Sequence, residues 1–181
     1  MMEADEAGTL GRLKALRADF LHPKVAEFGG RVVKTTGDGT LIEFPSAVDA
    51  VQHAVEVQRE MARLAAPDPE DRRIRLRMGI NLGDVLIDGD DIYGDGVNVA
   101  ARLEALAEPG SIFVSGTVRE HVQGKLDVTF EDMGERTVKN IARPVHVYSI
   151  LADNPTPNVP GRGSPKFAER ILFFAFLPTR N

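Results

Sequence analysis

Two short segments hold the side chains with the most chemical potential in this 181-residue chain. The first is Lys34-Thr-Thr-Gly-Asp-Gly39 and the second is Asp91-Ile-Tyr-Gly-Asp-Gly-Val-Asn-Val-Ala-Ala-Arg102. Asp38 lies between two glycines, which in isolation is ordinary turn chemistry. It is equally a carboxylate at a hairpin tip, suited to Mg²⁺, which takes one or two protein carboxylates and fills its other positions with water and phosphate oxygens. Asn98 and Arg102 are four residues apart, so on a helix they share a face. The small Ala101 and Ala105 on that face would let a triphosphate come close. Arginine binds non-bridging phosphoryl oxygens through a planar fork, and asparagine can orient an attacking hydroxyl. Lys34 and Asp91 add an ammonium and a carboxylate that could read the edge of a base. These are the groups an in-line phosphoryl displacement needs. Taken singly, each has a plainer reading: a solvated strand lysine, an exposed polar pair on a surface helix.

The elements that must position these residues follow from the pattern around them. Leu10, Leu13, Leu16 and Phe20 recur at helical spacing, so Thr9 to Phe28 reads as helix, interrupted at Pro23 and ended by Gly29-Gly30. Arg31 to Phe44 reads as a β-hairpin turning at Gly37-Asp38-Gly39. Ser46 is a fair N-cap for a helix from Ala47 to Ala65, with an apolar stripe through Val51, Ala54, Val57, Met61 and Leu64. Arg73 to Ile87 is a strand candidate, in which Gly79 and Gly83 mark a bulge or a close approach to the backbone. An acidic loop, Asp88-Gly-Asp-Asp91, leads into a helix from Val97 to about Ala107. Asp84, Asp88 and Asp90 read as solvated, and Gly94-Asp95-Gly96 as a turn into that helix. Ser111 to Ser115 is a strand, Thr117 to Val122 a short helix, and Phe130 to Val138 and Pro144 to Leu151 the closing strands. Mixed order of this kind predicts an α+β sandwich, helices on one face of an antiparallel sheet. A Pro/Gly-rich stretch follows, so the expected division is a domain over 1–151 and a linker and tail over 152–181.

Composition narrows the function classes. A hydrophobic content of 43% is ordinary for a globular protein. The net charge of −5, with no Lys/Arg run, argues against nucleic acid as a partner. With zero cysteines there is no disulfide framework or thiolate metal site, which fits a cytoplasmic protein. The four histidines have no metal-ligand spacing. The N-terminus carries no secretory signal, and the longest apolar run, Ile171 to Leu177, is too short for a helical membrane span.

The two segments, with Gly-Ile-Asn-Leu-Gly-Asp (79 to 84) between them and Glu-Asp-Met-Gly (131 to 134) after, resemble the catalytic domain of class III nucleotidyl cyclases. Within this adenylate/guanylate cyclase family, the likeness is greatest to the bacterial adenylate cyclase branch, and it covers residues 1 to about 151. The resemblance implies a ferredoxin-like α/β sandwich, conversion of ATP to cyclic AMP and pyrophosphate, Mg²⁺ or Mn²⁺ as cofactor, and a homodimer with sites at its interface. It implies Lys34 and Asp91 as base-reading residues, with Ile92 of the same Asp-Ile-Tyr-Gly pattern at the substrate. It further implies Asn98 and Arg102 as catalytic, Lys139 on the terminal phosphates and Asp38 on the metal. Adenine offers an acceptor at N1 and a donor at N6, which a lysine and a carboxylate complement; guanine inverts that polarity. No Gly-Gly-Asp-Glu-Phe motif points to a diguanylate cyclase.

The family's first strand, which carries the first metal-binding Asp, has no counterpart over residues 1–151. That strand is central in the family's sheet, so its loss would leave backbone groups unpaired. The expectation is an adenylate cyclase-type domain impaired as this chain stands. The alternative is a non-catalytic, cyclase-like module that binds nucleotide or a dimer partner. Ile171 to Leu177 reads either as an exposed, aggregation-prone segment or as a strand for the vacant position.

Overall fold

The computed structural model describes residues 11–12, 14–36, 39–69, 73–137, 141 and 143–151, and the backbone of 170–176. A π-helical turn (Arg17–Leu21) runs directly into α1 (His22–Glu27), with Pro23 in the first turn of α1. The wider turn accommodates the proline, whose missing N–H would break a tighter ladder. The hairpin β1 (Arg31–Thr36) and β2 (Gly39–Phe44) follows as expected. Next is α2 (Ala47–Ala65), capped where Ser46 Oγ accepts from the Asp49 N–H at 3.0 Å.

β3 (Arg77–Gly83) is shorter than the strand expected from Arg73 to Ile87. Residues 73–76 stay outside the sheet, and the Arg73 side chain donates to the Asp68 carbonyl instead. The expected acidic loop is a second hairpin, β4 (Leu86–Asp88) with β5 (Asp91–Tyr93), reversing at Gly89 and Asp90. Its carboxylates Asp88 and Asp90 are exposed, as is Asp84 just before it. Then come α3 (Asp95–Leu106), β6 (Ile112–Ser115), α4 (Gly116–Val122), β7 (Thr129–Arg136) and β8 (Val145–Leu151).

One strand remains. β9 (Arg170–Phe176) lies between β2 and β3 and runs antiparallel to both, with Phe173 opposite Ile42 on one side and Ile80 on the other. The seven-stranded order is β1-β2-β9-β3-β6-β8-β7. The gap expected at the centre of the sheet is therefore filled, and the unpaired backbone expected on β2 and β3 is paired. Of the two readings of the apolar tail segment, the strand is the one realised. Residues 152–169, which connect it to β8, lie outside the described residues.

The α+β class and the helix-on-sheet architecture stand, with two differences in detail. β3 and β6 are parallel, so the sheet is mixed. Helices also cover both faces, not one. Met78, Ile80 and Leu82 alternate toward α2 in the main core, with Val51, Ala54 and Val55 of α2 and Val118 and Val122 of α4. Gly79 and Asn81 face the other way, toward α3.

Gly79 explains how α3 lies so close. A Cβ there would stand 2.3 Å from the Ala100 carbonyl oxygen and 2.4 Å from the Glu104 nitrogen, both backbone atoms that cannot swing aside. Gly79→Ala should lift α3 from the sheet and destabilise the fold by about 1–3 kcal/mol, read as a lowered denaturation midpoint. An unchanged midpoint would mean that the helix does not sit this close.

Candidate active site

Lys34 reaches its position through an irregularity in β1. Val32 pairs with Ile42 and Lys34 with Leu41, so Val33 is an extra residue in the ladder. Strict alternation would turn Lys34 to the same face as Val32, toward the main core. The bulge puts it on the face of Leu41 instead, beside β5 and α3, a re-aiming that bulges commonly perform near functional sites.

β5 supplies the partner. Ile92 is fully buried against Leu41 and Ala100, and Val33, Val85 and Val97 pack around them. That small core fixes the strand, and alternation then turns Asp91 and Tyr93 to the opposite side. Lys34 Nζ lies 2.8 Å from Asp91 Oδ1 and 3.1 Å from Oδ2. The Ile92 N–H also donates to Asp91 Oδ1, at 2.8 Å. The Lys34 ammonium, then the Tyr93 hydroxyl, hold the Asp91 carboxyl well below its ordinary range, at about 2. Lys34 and Asp91 are each about one third exposed, so the pair is formed yet reachable. Arg31 steadies the arm from β1, donating to the Asp90 carbonyl at 3.3 Å and bridging to Glu43 at 2.8 Å.

Gly94 joins β5 to α3 with φ at 123°, a conformation open to glycine and strained for other residues. The turn thus does what was expected of it, and α3 begins at Asp95 rather than Val97. Asn81 Nδ2 donates to the Gly96 carbonyl at 3.1 Å, tying the first turn of the helix to β3. Val99 and Leu103 bury against Phe113 and Val147. Glu104, 5% exposed, pairs with Arg77 at 3.0 Å beneath the helix. Asn98, Arg102 and Ala105 are left on the exposed face, with Ala101 half-buried beside them.

The structure therefore joins Lys34 to Asp91 and sets Asn98 and Arg102 on the outer face of the helix that β5 leads into. Ile92 anchors β5, with its side chain in the small core and its N–H bonded to Asp91. Asp38 and Lys139 lie outside the described residues. Among the described residues no group of three or more His, Cys, Asp or Glu side chains is arranged to hold a metal. A separate cleft of about 530 Å³ opens near the start of α3, between Asn81, Asp95, Ser115 and His146, and Lys34, Asp91, Asn98 and Arg102 do not line it. Tyr93, two residues beyond Asp91 on β5 and beside Lys34, was not singled out by the sequence, because this segment reads as loop until its strand pairing is seen.

The model of the adenylate and guanylate cyclase catalytic domain matches residues 10–152. The chain belongs to this family. Among curated relatives of the cyclase domain, a Rhizobium meliloti protein named provisionally as adenylate cyclase 3 is 45% identical over 175 residues, covering 91% of this chain and 30% of that protein. A pH-sensitive adenylate cyclase of Mycobacterium tuberculosis is 33% identical over 124 residues, covering 66% of this chain and 28% of its own length. The chain thus spans under a third of these two relatives. Among solved structures, an adenylate/guanylate cyclase/hydrolase from Silicibacter pomeroyi superposes with a TM-score of 0.78 at 44% identity, covering 82% of this chain and 88% of that one. The adenylyl cyclase CyaB from P. aeruginosa gives 0.66 at 25% identity, over 83% and 87% of the two chains. No helix among the described residues of this cyclase domain is long and apolar enough to cross a membrane.

Proposed function

We propose that this domain is of the adenylate cyclase type, closing ATP to 3′,5′-cyclic AMP and pyrophosphate in the cytoplasm at sites assembled between two protomers, and that two copies of this chain alone leave each site short of one metal carboxylate. The Lys34–Asp91 pair carries the reading. An ammonium donor next to a carboxylate acceptor complements the N1 acceptor and N6 donor of adenine and mismatches guanine. In the reaction the ribose 3′ hydroxyl gives its proton to solvent, its oxygen bonds to the α-phosphorus, and the bond from that phosphorus to the pyrophosphate oxygen breaks, releasing pyrophosphate. Asn98 orients the attacking hydroxyl, Arg102 binds the non-bridging oxygens as charge builds on them, and Lys139 holds the terminal phosphates. Mg²⁺ or Mn²⁺ takes one or two protein carboxylates, so Asp38 would supply one of them, and the ion would neutralise triphosphate charge when bound.

Each site takes its metal carboxylates from one protomer and its base-reading and Asn/Arg residues from the other. A second reading, a dimer-partner module without turnover of its own, is favoured by one observation. The strand at the centre of the sheet comes from a segment, residues 170–181, that contains no Asp or Glu.

Complementation tests both readings. Alone with Mg²⁺, the chain should make little or no cyclic AMP. Mixed with a full-length relative whose matching Asn and Arg are Ala, it should complete one site and restore synthesis. Turnover by the chain alone at the level of an intact domain would show that another carboxylate has taken the vacant metal role. Demonstrated dimers without any product would discard the composite site and leave the module reading.

A further inference from the structure

Tyr93 touches both members of the base-reading pair. It lies two residues beyond Asp91 on β5, so the two side chains project from one face of the strand while Ile92 is buried on the other. The Tyr93 hydroxyl acts on the Asp91 carboxyl, lowering its pKa, and is itself raised by it. The Lys34 ammonium stands 4.8 Å from the centroid of the Tyr93 ring, within cation–π range. Lys34 and Asp91 bond to each other at 2.8 Å. Lys34 is thus held on one side by Asp91 and on the other by the Tyr93 ring, with Asp91 and Tyr93 neighbours on the same face of β5.

We propose that Tyr93 is a positioning residue that sets base specificity: its hydroxyl fixes the Asp91 carboxylate and its ring face fixes the Lys34 ammonium. This rests on the adenine reading given above. A free lysine side chain samples many rotamers, and ordering it at the moment of binding lowers affinity. Tyr93 holds it before nucleotide arrives. Rigidity also sharpens rejection. A loose pair could swing aside to let guanine present its N1 donor and O6 acceptor, whereas a pinned pair leaves those groups facing like partners. The hydroxyl also titrates higher than a free tyrosine, because ionising it would end the bond to Asp91.

Two variants separate the contacts. Tyr93→Phe keeps the ring and loses the hydroxyl, and Tyr93→Leu loses both. Affinities for fluorescent ATP and GTP analogues are measured on the full chain, with thermal melting as a fold control. Tyr93→Phe should lower the ATP-over-GTP preference by roughly 3- to 10-fold, the scale of one hydrogen bond, and Tyr93→Leu by more. In parallel, carbon-13 titration of the Asp91 carboxyl should start at about 2 in the parent chain and move toward the ordinary aspartate range in Tyr93→Phe. Removing a donor destabilises the carboxylate, so the shift is upward.

An intact ATP preference in both variants, or an unmoved Asp91 titration, overturns the role of Tyr93 while leaving the adenine reading in place. Equal affinities for the two analogues in the parent chain overturn the adenine reading and the specificity role together.

Discussion

Phe173→Pro should abolish cooperative unfolding of the domain. Phe173 is the middle residue of β9, and its backbone stands between Ile42 of β2 and Ile80 of β3. A proline there removes a ladder donor and forces its ring against a neighbouring strand, and prolines are confined to edge strands for that reason. The lost ladder bond and the ring clash fall at the centre of the sheet, against a total stability of about 5–15 kcal/mol for a typical domain. The damage spreads because α3 also packs against β9, so the helix carrying Asn98 and Arg102 loses part of its floor. Circular dichroism melting should lose its sigmoid, and amide exchange at Ile42 and Ile80 should become fast. A parent-like melt would show that the central strand is not drawn from residues 170–176.

The largest expected effect on chemistry is that of Arg102→Ala, measured in the complemented pair. Arg102 lies on the outer face of a helix whose other side is fixed by Val99, Leu103 and Glu104, so truncating it removes the proposed phosphate ligand without opening the core. Losing one preorganised donor to a transition state lowers kcat by about 10²–10³-fold. Arg102→Ala should fall in that range, with the melting midpoint unchanged, and Asn98→Ala should follow it. Because the two residues act on one transition state, the double variant should lose less than the product of the single losses. An Arg102→Ala pair that keeps cyclic AMP synthesis within about 3-fold of the parent, far below the loss of a preorganised donor, would remove this residue from the mechanism.

Much of this was legible because the signals are local. Ser46 and the apolar stripe behind it announce α2, and glycine on both sides of Asp38 announces the β1–β2 hairpin. The i, i+4 spacing of Asn98 and Arg102 correctly put both on one exposed face. What stayed hidden depends on partners distant in the chain. Nothing around Val33 marks it as an extra residue, yet that single insertion decides which face Lys34 occupies. The β4–β5 hairpin was hidden by its charge, since three exposed carboxylates look like loop until strand pairing is seen. The neighbour of β9 in space is not its neighbour in sequence, so an apolar run after a Pro/Gly-rich stretch looked equally like an exposed tail. The pairing of Lys34 with Asp91 was implied by the resemblance to the cyclase family, whereas the stacking of Lys34 over the Tyr93 ring was not.

Drawing the middle strand from residues 170–176 also dictates an order of assembly. β2 and β3 can each form early, one in a local hairpin and the other beside β6, but they cannot be joined until a segment that follows both has arrived. Until then the protein is two half-sheets, β1-β2 and β3-β6-β8-β7, each exposing a bare inner edge. Such edges invite pairing with other chains, and closure through contacts distant in sequence is slow. The interval between translating β3 and translating β9 is therefore when this domain is most exposed to aggregation, and a chaperone that shields strand edges would matter most then.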